Sequence, residues 1–248
     1  MDRAFLDVYF KMEREHWWFQ VREGIILDQF RKWIFKSQPL KILNVGAATG
    51  RSSEILQPFG DVQSIEYDEP SYTFCRENLQ MKIDQGSITE LPYADASFDA
   101  VCAFDVVEHV EDHAAAVANL FRVCKPGGKI FVTVPAFMSL WSNHDVVNHH
   151  FRRYTQQQLL ELFEAHGGQL KRSTYFNFFL FIPIYGVRSL QKILKKKNTD
   201  ELKPDNEMIE SGFINSIFHA IFSFERKLLK KINFPFGVSL LLIWEKKG

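Results

Sequence analysis

Cysteine is scarce in this chain of 248 residues: Cys75, Cys102 and Cys124 are the three, widely spaced and without a CxxC pair. That excludes a disulfide framework or a zinc knuckle and points to a reducing cytoplasm. Net charge is missing too. Thirty acidic side chains balance thirty basic ones, so no global field favours nucleic acid or an acidic partner. No apolar run approaches the roughly 20 residues of a membrane span. The nearest, YFNFFLFIPIYGV at 175–187, is broken by Pro183 and Gly186. The opening MDRAFLDVYFKMEREHWWF carries charges throughout and lacks an apolar centre, so a secretion signal is not expected. Phenylalanine, by contrast, is abundant at 24 residues, which suits a Phe-rich core first and a greasy pocket or membrane-facing surface second.

Residues 21–35 place Val21, Ile25, Phe30, Trp33 and Ile34 at helical spacing, just after the aromatic block HWWF at a helix junction. From residue 40 the pattern alternates. LKILNVG reads as a buried strand, GRSSEILQPF as a helix stopped near Pro58, VQSIEYD (62–68) as a strand and PSYTFCREN (70–78) as a helix. MKIDQGS (81–87) is a weak strand, SFDAVCAFD (97–105) a buried one, DHAAAVANLFRVCK (112–125) a helix ended by Pro126-Gly127-Gly128, and KIFVTVPA (129–136) a strand. Such alternation with short turns predicts an α/β fold, a doubly wound and mostly parallel sheet with helices on both faces. A helix follows over 155–168, capped by Thr155 and closed by Gly167, then the strand QLKRSTYFN and a final apolar strand, GVSLLLIWEKK (237–247). Between these last two strands the alternation breaks. A helix over 211–232, with Phe213, Ile217, Ile221, Leu228 and Ile232 along one face, and a charged, linker-like stretch at 189–207 read as an insertion.

The first strand–turn–helix carries LNVGAATG, with Gly46, Ala48 and Gly50 two residues apart. Small residues there let the backbone turn tightly and approach a ligand, while the helix start presents free N–H groups. A dinucleotide fingerprint needs a third glycine at position 51, which is Arg51, so a dehydrogenase is opposed. A tight turn of any α/β protein is the bland alternative. Glu66 ends the next strand, where a carboxylate accepts two hydrogen bonds from a ribose diol and selects an adenosine-bearing cofactor.

Taken in order, LNVGAATG, IEYD, QGSITELPYADASFDAV, FDVVEHVED and LFRVCKPGGKIFVTVP, spanning 40–135, resemble a class I S-adenosylmethionine-dependent methyltransferase. The resemblance implies S-adenosylmethionine as cofactor and a seven-stranded sheet whose last strand, GVSLLLIWEKK, is antiparallel. It implies Gly46, Ala48 and Gly50, with Asn44 and Ala47 of the same loop, against the methionine part. Glu66, with Tyr67 beside it, would hold the ribose, Ser87 and Ile88 the adenine, and Phe104 and Asp105 the methionine end. Three positions depart from the pattern: Asn44 and Ser87 stand where acids are usual, and Ala48 where a glycine is. They keep a second reading open, a catalytically silent member that binds the cofactor or a partner as a regulatory module. HWWF, LWSNHDVVNHHFRRYT and YFNFFLFIP narrow the resemblance to a subgroup with poorly defined acceptors. On this reading the chain is one domain: a helical cap (1–38), a cofactor-binding core (39–137), an acceptor-side loop, helix and strand (138–176), a helical insertion between strands six and seven (177–235) and the final strand (236–248).

In that fold HDVVNHHFRRY, at 144–154, would line the acceptor pocket. Methyl transfer from a sulfonium is an in-line displacement, helped mainly by alignment and exclusion of water. A hydroxyl acceptor must also lose its proton, and imidazole suits that task. His144, His149 and His109 are the candidate bases, Asp145 an orienting carboxylate, and Arg152 and Arg153 a clamp for phosphate or carboxylate. Trp141, Tyr154, Trp17 and Trp18 complete the expected substrate side. His113 and His166 read as ordinary surface residues. No metal is expected, because His144-Asp145 with His149-His150 has no established zinc spacing and the transfer needs none. The expected activity is methyl transfer, at oxygen, to a small-molecule or lipid-linked acceptor, and no oligomeric state is encoded. The insertion sets Phe178 to Ile182 beside Arg188, Lys192, Lys195, Lys196 and Lys197, and its long helix ends in Arg226, Lys227, Lys230 and Lys231. It reads first as a lid packed on the core, with lysines placed favourably at helix C-termini. The alternative is a cytoplasmic protein resting peripherally on an anionic membrane.

Overall fold

The computed structural model describes residues 3–34, 39–195 and 212–248. Two helices, α1 (Arg3–Glu15) and α2 (Trp17–Trp33), precede the sheet. They meet at His16, whose Nδ1 accepts from the Trp18 N–H at 3.3 Å, so the HWWF block is a capped helix junction. The strands are β1 (Leu40–Val45), β2 (Gly60–Glu66), β3 (Ile83–Gln85), β4 (Phe98–Phe104), β5 (Cys124–Pro135), β6 (Gln169–Phe176) and β7 (Ser239–Glu245). They form one sheet in the order β3-β2-β1-β4-β5-β7-β6. β1 to β5 pair in parallel, while β7 runs antiparallel to both β5 and β6, as expected of the last strand. The order reverses between β1 and β4, which opens a crevice at the carboxyl ends of the strands.

Alternation along each strand feeds two cores. Leu43, Val45, Val101, Ile130, Val132, Leu240 and Leu242 point to one face, against α5 (His113–Val123) and α7 (Gln156–Glu164). Ile42, Ala100, Cys102, Phe131, Leu241 and Ile243 point to the other, against α2 and α9 (Gly212–Leu229). The helices α3 (Arg51–Leu56) and α4 (Glu69–Asn78) follow β1 and β2, and a short α6 (Asn143–Val147) lies in the loop after β5. Pro126-Gly127-Gly128 does not separate helix from strand. β5 begins at Cys124 and carries these residues as an irregularity in its pairing with β4.

Two helices, α8 (Phe181–Lys195) and α9, make the insertion between β6 and β7. The linker-like stretch falls largely on residues 196–211, which with Lys196 and Lys197 lie outside the described residues, as do the side chains of Lys192 and Lys195. The expected inner face of α9 is corrected. Phe222, Glu225 and Leu229 are buried, while Phe213, Ile217 and Ile232 are exposed. The cause is Glu225, whose carboxylate accepts from the backbone N–H groups of Phe178 (2.8 Å) and Phe179 (3.2 Å), just beyond β6. Satisfying those buried donors fixes which side of α9 turns inward. Where α9 meets α2, Arg226 and, just past the helix end, Lys230 pair with Asp28 of α2 at 2.7 and 3.3 Å.

Burial raises the Glu225 carboxyl from 4.5 to about 7, against the pull of those backbone donors. A folded-state value raised above the unfolded one means stability that is full below the lower value and lost as pH rises through the upper. Glu225→Gln keeps an acceptor oxygen and cannot ionise. Thermal melts of the variant should therefore lose much of the wild-type decline between pH 4.5 and about 7. An unchanged slope would assign that decline to another group.

Candidate active site

The β1–α3 loop passes through the left-handed region at Gly46 (φ +74), Ala48 (φ +49) and Gly50 (φ +86). A Cβ on Gly46 would lie 2.4 Å from Val106 Cγ2, and one on Gly50 2.6 Å from Met81 Sδ, so neither position admits a side chain. Alanine takes the middle position, at a cost of about 1–2 kcal/mol, and its N–H donates to Glu66 Oε2 at 2.8 Å. Glu66 Oε1 accepts from the Asp68 N–H at 2.9 Å. Burial pushes the Glu66 carboxyl up and these backbone donors pull it back. With the Tyr67 N–H as a third backbone donor, the carboxylate still has lone-pair capacity for a ligand. Asn44 is fully buried; its amide donates to Ser52 Oγ (2.9 Å) and Ser53 Oγ (2.8 Å), and its Oδ1 has no partner. A glycine cradle, a pre-oriented carboxylate and an orphaned polar atom fit a nucleoside cofactor bearing an amino acid tail.

The other cofactor-side residues separate. Ser87 caps the short turn at Ile88–Glu90 through the Thr89 N–H, at 3.2 Å, and Ile88 is buried below it. Tyr67 is 77% exposed, at the rim. Phe104 is corrected: its ring is buried in the α2-facing core, and its neighbour Asp105 reaches the sheet edge.

Asp105 meets a residue that the sequence pattern did not single out. Arg22 Nη2 lies 2.5 Å from Asp105 Oδ2 and 3.3 Å from Thr133 Oγ1, with its guanidinium 5.6 Å from the Trp18 ring centroid. The next residue, Glu23, makes a two-point contact with Arg51 of α3 at 2.8 Å. From α1, Glu13 accepts from Thr49 of the glycine loop, and burial lifts its carboxyl to about 7. Leu6 packs on Ala47, Phe74, Cys75 and Ile83. The cap thus covers the loop. Within it Trp17 packs against Phe218 and Phe222 of α9 at 5.7 and 6.2 Å, whereas Trp18 faces Arg22. The spacing of Val21 and Ile25 gave no signal for Arg22 and Glu23, because α2 is buried all round over 21–26 and the two charges lie off the Val21–Ile25 face.

On the acceptor side the histidine loop folds around Asp145, which is fully buried. Its Oδ1 lies 2.8 Å from His150 Nδ1 and 2.7 Å from Arg153 Nε, and its Oδ2 accepts from the Ser142 N–H at 2.8 Å. Burial alone would raise this carboxyl, but those partners hold it well below the usual range. Asp145 therefore orients His150, not one of the three expected bases. Arg153 is corrected as well. It is buried between Asp145 and the Ala136 carbonyl (3.2 Å) and has no face to offer a substrate. Arg152 instead donates to the Glu111 carbonyl at 2.9 Å and lies over the Phe151 ring. Tyr154 is a core residue, with its hydroxyl 2.8 Å from His113 Nδ1, so His113 adjoins the loop after all. Trp141 is partly buried in the preceding turn.

The three expected bases do not converge. His149 is exposed at φ +54. His144 and His109 both lie beside His150, at ring-centroid distances of 6.0 and 4.5 Å. His109 opens to solvent and His144 is half-buried, yet the atoms packed around each ring strip part of its hydration and lower both to about 4, helped at His109 by the neighbouring His150 and opposed at His144 by Asp145. Both are neutral near pH 7. Glu108, unnoticed in the sequence, is buried beside them, and burial followed by Asp105 holds its carboxyl well above the ordinary value. The Glu108-His109 pair was visible, but its neighbour His150 comes from another loop.

Residues 43–132 match the family model of a methyltransferase domain. Over 164 residues the chain is 27% identical to a protein of Mycolicibacterium smegmatis named as a probable S-adenosylmethionine-dependent methyltransferase, covering 64% of this chain and 62% of that one. Over 101 residues it is 30% identical to the O-methyltransferase rstn1 of Aspergillus nomiae, covering 37% and 45%. The matches thus span less than two thirds of those curated relatives. A solved structure from Thermotoga maritima, described as a SAM-dependent methyltransferase and possible histamine N-methyltransferase, aligns with a TM-score of 0.60. It covers 99% of this chain and 98% of that one at 19% identity, a likeness of fold alone. Residues 43–132 thus match a methyltransferase domain, and the likeness to a relative named for S-adenosylmethionine points to that compound as the cofactor.

Replacing Asp145 by asparagine should destabilise the protein by about 3–5 kcal/mol, because Arg153 is then left buried without its counter-charge. Urea denaturation measures this. A loss below about 1 kcal/mol would mean that the loop does not depend on the pair.

Proposed function

We propose that this chain transfers a methyl group from S-adenosylmethionine to an oxygen of a small or lipid-linked acceptor, working in the cytoplasm and against a membrane surface. One observation carries the reading. The Glu66 carboxylate, clasped by the Ala48 and Asp68 N–H groups, stands where β1 and β2 end, in the same crevice as the histidine-bearing edge beyond β4 and β5. Bound there, S-adenosylmethionine supplies an electrophilic methyl group on a sulfonium centre. Glu66 would hold the ribose diol, the glycine loop would admit the amino acid tail, and α1 with α2 would exclude water. Neutral His144 would accept a hydroxyl proton.

The relative named as an O-methyltransferase supports oxygen as the site of transfer. The silent-member reading gains no support from the three unusual positions. Asn44 is bonded to two serines, Ala48 donates to Glu66, and Ser87 caps its turn. A lipid-linked acceptor is supported by the insertion. Ile182, Tyr185 and Leu190 of α8 and Phe213, Ile217 and Phe224 of α9 are exposed in helical stripes. α8 also adjoins the acceptor loop, where Arg188 donates to the Leu140 carbonyl at 2.7 Å. Among the described residues no helix is long and apolar enough to cross a membrane.

Calorimetry with S-adenosylmethionine and with its demethylated product tests the cofactor part. Both should bind, and Glu66→Gln should weaken binding about 10- to 100-fold, the worth of charged hydrogen bonds. Binding of neither compound ends the enzyme reading, and labelled-methyl transfer to fractionated lipid and sugar extracts then separates an active enzyme from a silent one.

Flotation with anionic vesicles tests the surface. The protein should float at low salt, and an Ile182→Asp, Phe213→Asp double variant should not. Wild-type protein that stays in the soluble fraction removes the membrane part of the proposal and leaves the methyl transfer standing.

A further inference from the structure

Glu108 is fully buried, and neither of its carboxyl oxygens has a hydrogen-bond partner beyond its own main chain. A buried carboxyl that no other residue bonds has given up its hydrogen bonds to water without replacement, which is costly unless a ligand takes them up. Its main chain is nonetheless fixed, because the Phe151 N–H donates to the Glu108 carbonyl at 2.8 Å. That bond draws the histidine loop onto the turn after β4. One ligand-type atom each from Glu108, His109 and His150 then lies within 4.8 Å of the others.

Both imidazoles are oriented to present a lone pair. His150 Nδ1 is engaged by Asp145 at 2.8 Å, and Asp145 is itself anchored by Arg153 and the Ser142 N–H. His109 has a hydrogen bond to the Asn148 backbone. Each ring thus has one nitrogen engaged, and an imidazole carries a second that can serve as a ligand. A carboxylate or carbonyl behind an imidazole is the arrangement that supports metal-bound histidines.

We infer that Glu108, His109 and His150 form a binding site for one divalent transition-metal cation, of the zinc or cobalt type, with a coordination position left open. Two nitrogens and one carboxylate oxygen suit such an ion better than magnesium or calcium, which prefer oxygen ligands. Three protein ligands, where a closed structural site uses four, leave room for water or an acceptor oxygen. The cluster sits just beyond β4, on the edge assigned to the acceptor. A hydroxyl bound in the open position would give up its proton to solvent water more readily. As the new C–O bond formed, the methyl–sulfur bond would break and the sulfur would keep the electron pair. That use of the ion rests on the methyl transfer proposed above, but the binding of the ion does not.

The test uses the full chain, stripped with a chelator and titrated with cobalt(II), without cofactor. Wild-type protein should bind one equivalent and give visible absorption stronger than that of the aqueous ion. Glu108→Gln and His150→Ala should each weaken binding at least 100-fold, and thermal melts should show both variants folded. His149→Ala removes the exposed neighbour and should bind as the wild type does. An aqueous-ion spectrum with wild-type protein overturns the inference. So does unchanged binding by a folded Glu108→Gln variant, or a loss as large in His149→Ala as in His150→Ala. Cofactor calorimetry on the same stripped protein is independent, so a failed metal site and a failed cofactor site are told apart.

Discussion

Arg22 reaches from α2 to the carboxyl end of β4, where its guanidinium meets Asp105 at 2.5 Å. Only 8% of this arginine is exposed. A guanidinium buried so deeply loses several kcal/mol of hydration unless a carboxylate stands against it. The cap therefore docks only where Asp105 is presented. Asp105 in turn holds a left-handed φ of +57 and is braced by Thr133 of β5 at 3.1 Å. The chain must turn sharply there, and the next residues are Val106, which fills the space above Gly46, and then Glu108 and His109. One ion pair thus links three things: closure of the cap, the shape of the glycine loop and the placement of the acceptor-side turn.

The sheet was legible in the sequence because its information is local. Apolar runs such as LKILNV and SLLLIW are buried on both faces and end in turn residues, so periodicity and punctuation agree. The glycine loop was legible for the same reason, since left-handed backbone at Gly46 and Gly50 demands particular residues at particular spacings. Glu66 needed only its position at a strand end.

What failed to show was whatever depends on two distant segments meeting. α9 carries apolar residues on its exposed side as well as its buried side, so its pattern does not select an inner face, and a buried glutamate that answers backbone donors beyond β6 decides the matter. Arg152 and Arg153 are equivalent in sequence. In the structure one lies over Phe151 and the other is sealed against Asp145. The adjacent histidines divide in the same way, His149 toward solvent and His150 inward. Neighbouring residues on a short irregular loop face opposite ways, and only the packing of that loop on the turn after β4 says which is which.

This division changes how the histidine loop is understood. As a string of residues it offers three imidazoles, an acid and two cations, and every one could act on a substrate. Folded, the acid and one cation neutralise each other in the interior, and a rigid loop is what results. The buried Asp145–Arg153 pair contributes little net stability by itself, because desolvation offsets most of its Coulomb gain. Its value is positional: it fixes the ring of His150, and the Phe151–Glu108 backbone bond fixes that ring against His109 and Glu108. Groups that must meet a small reacting atom gain more from being held still than from being numerous. The loop uses most of its charge for that purpose, so the chemistry left to it falls to the few polar atoms whose lone pairs remain uncommitted.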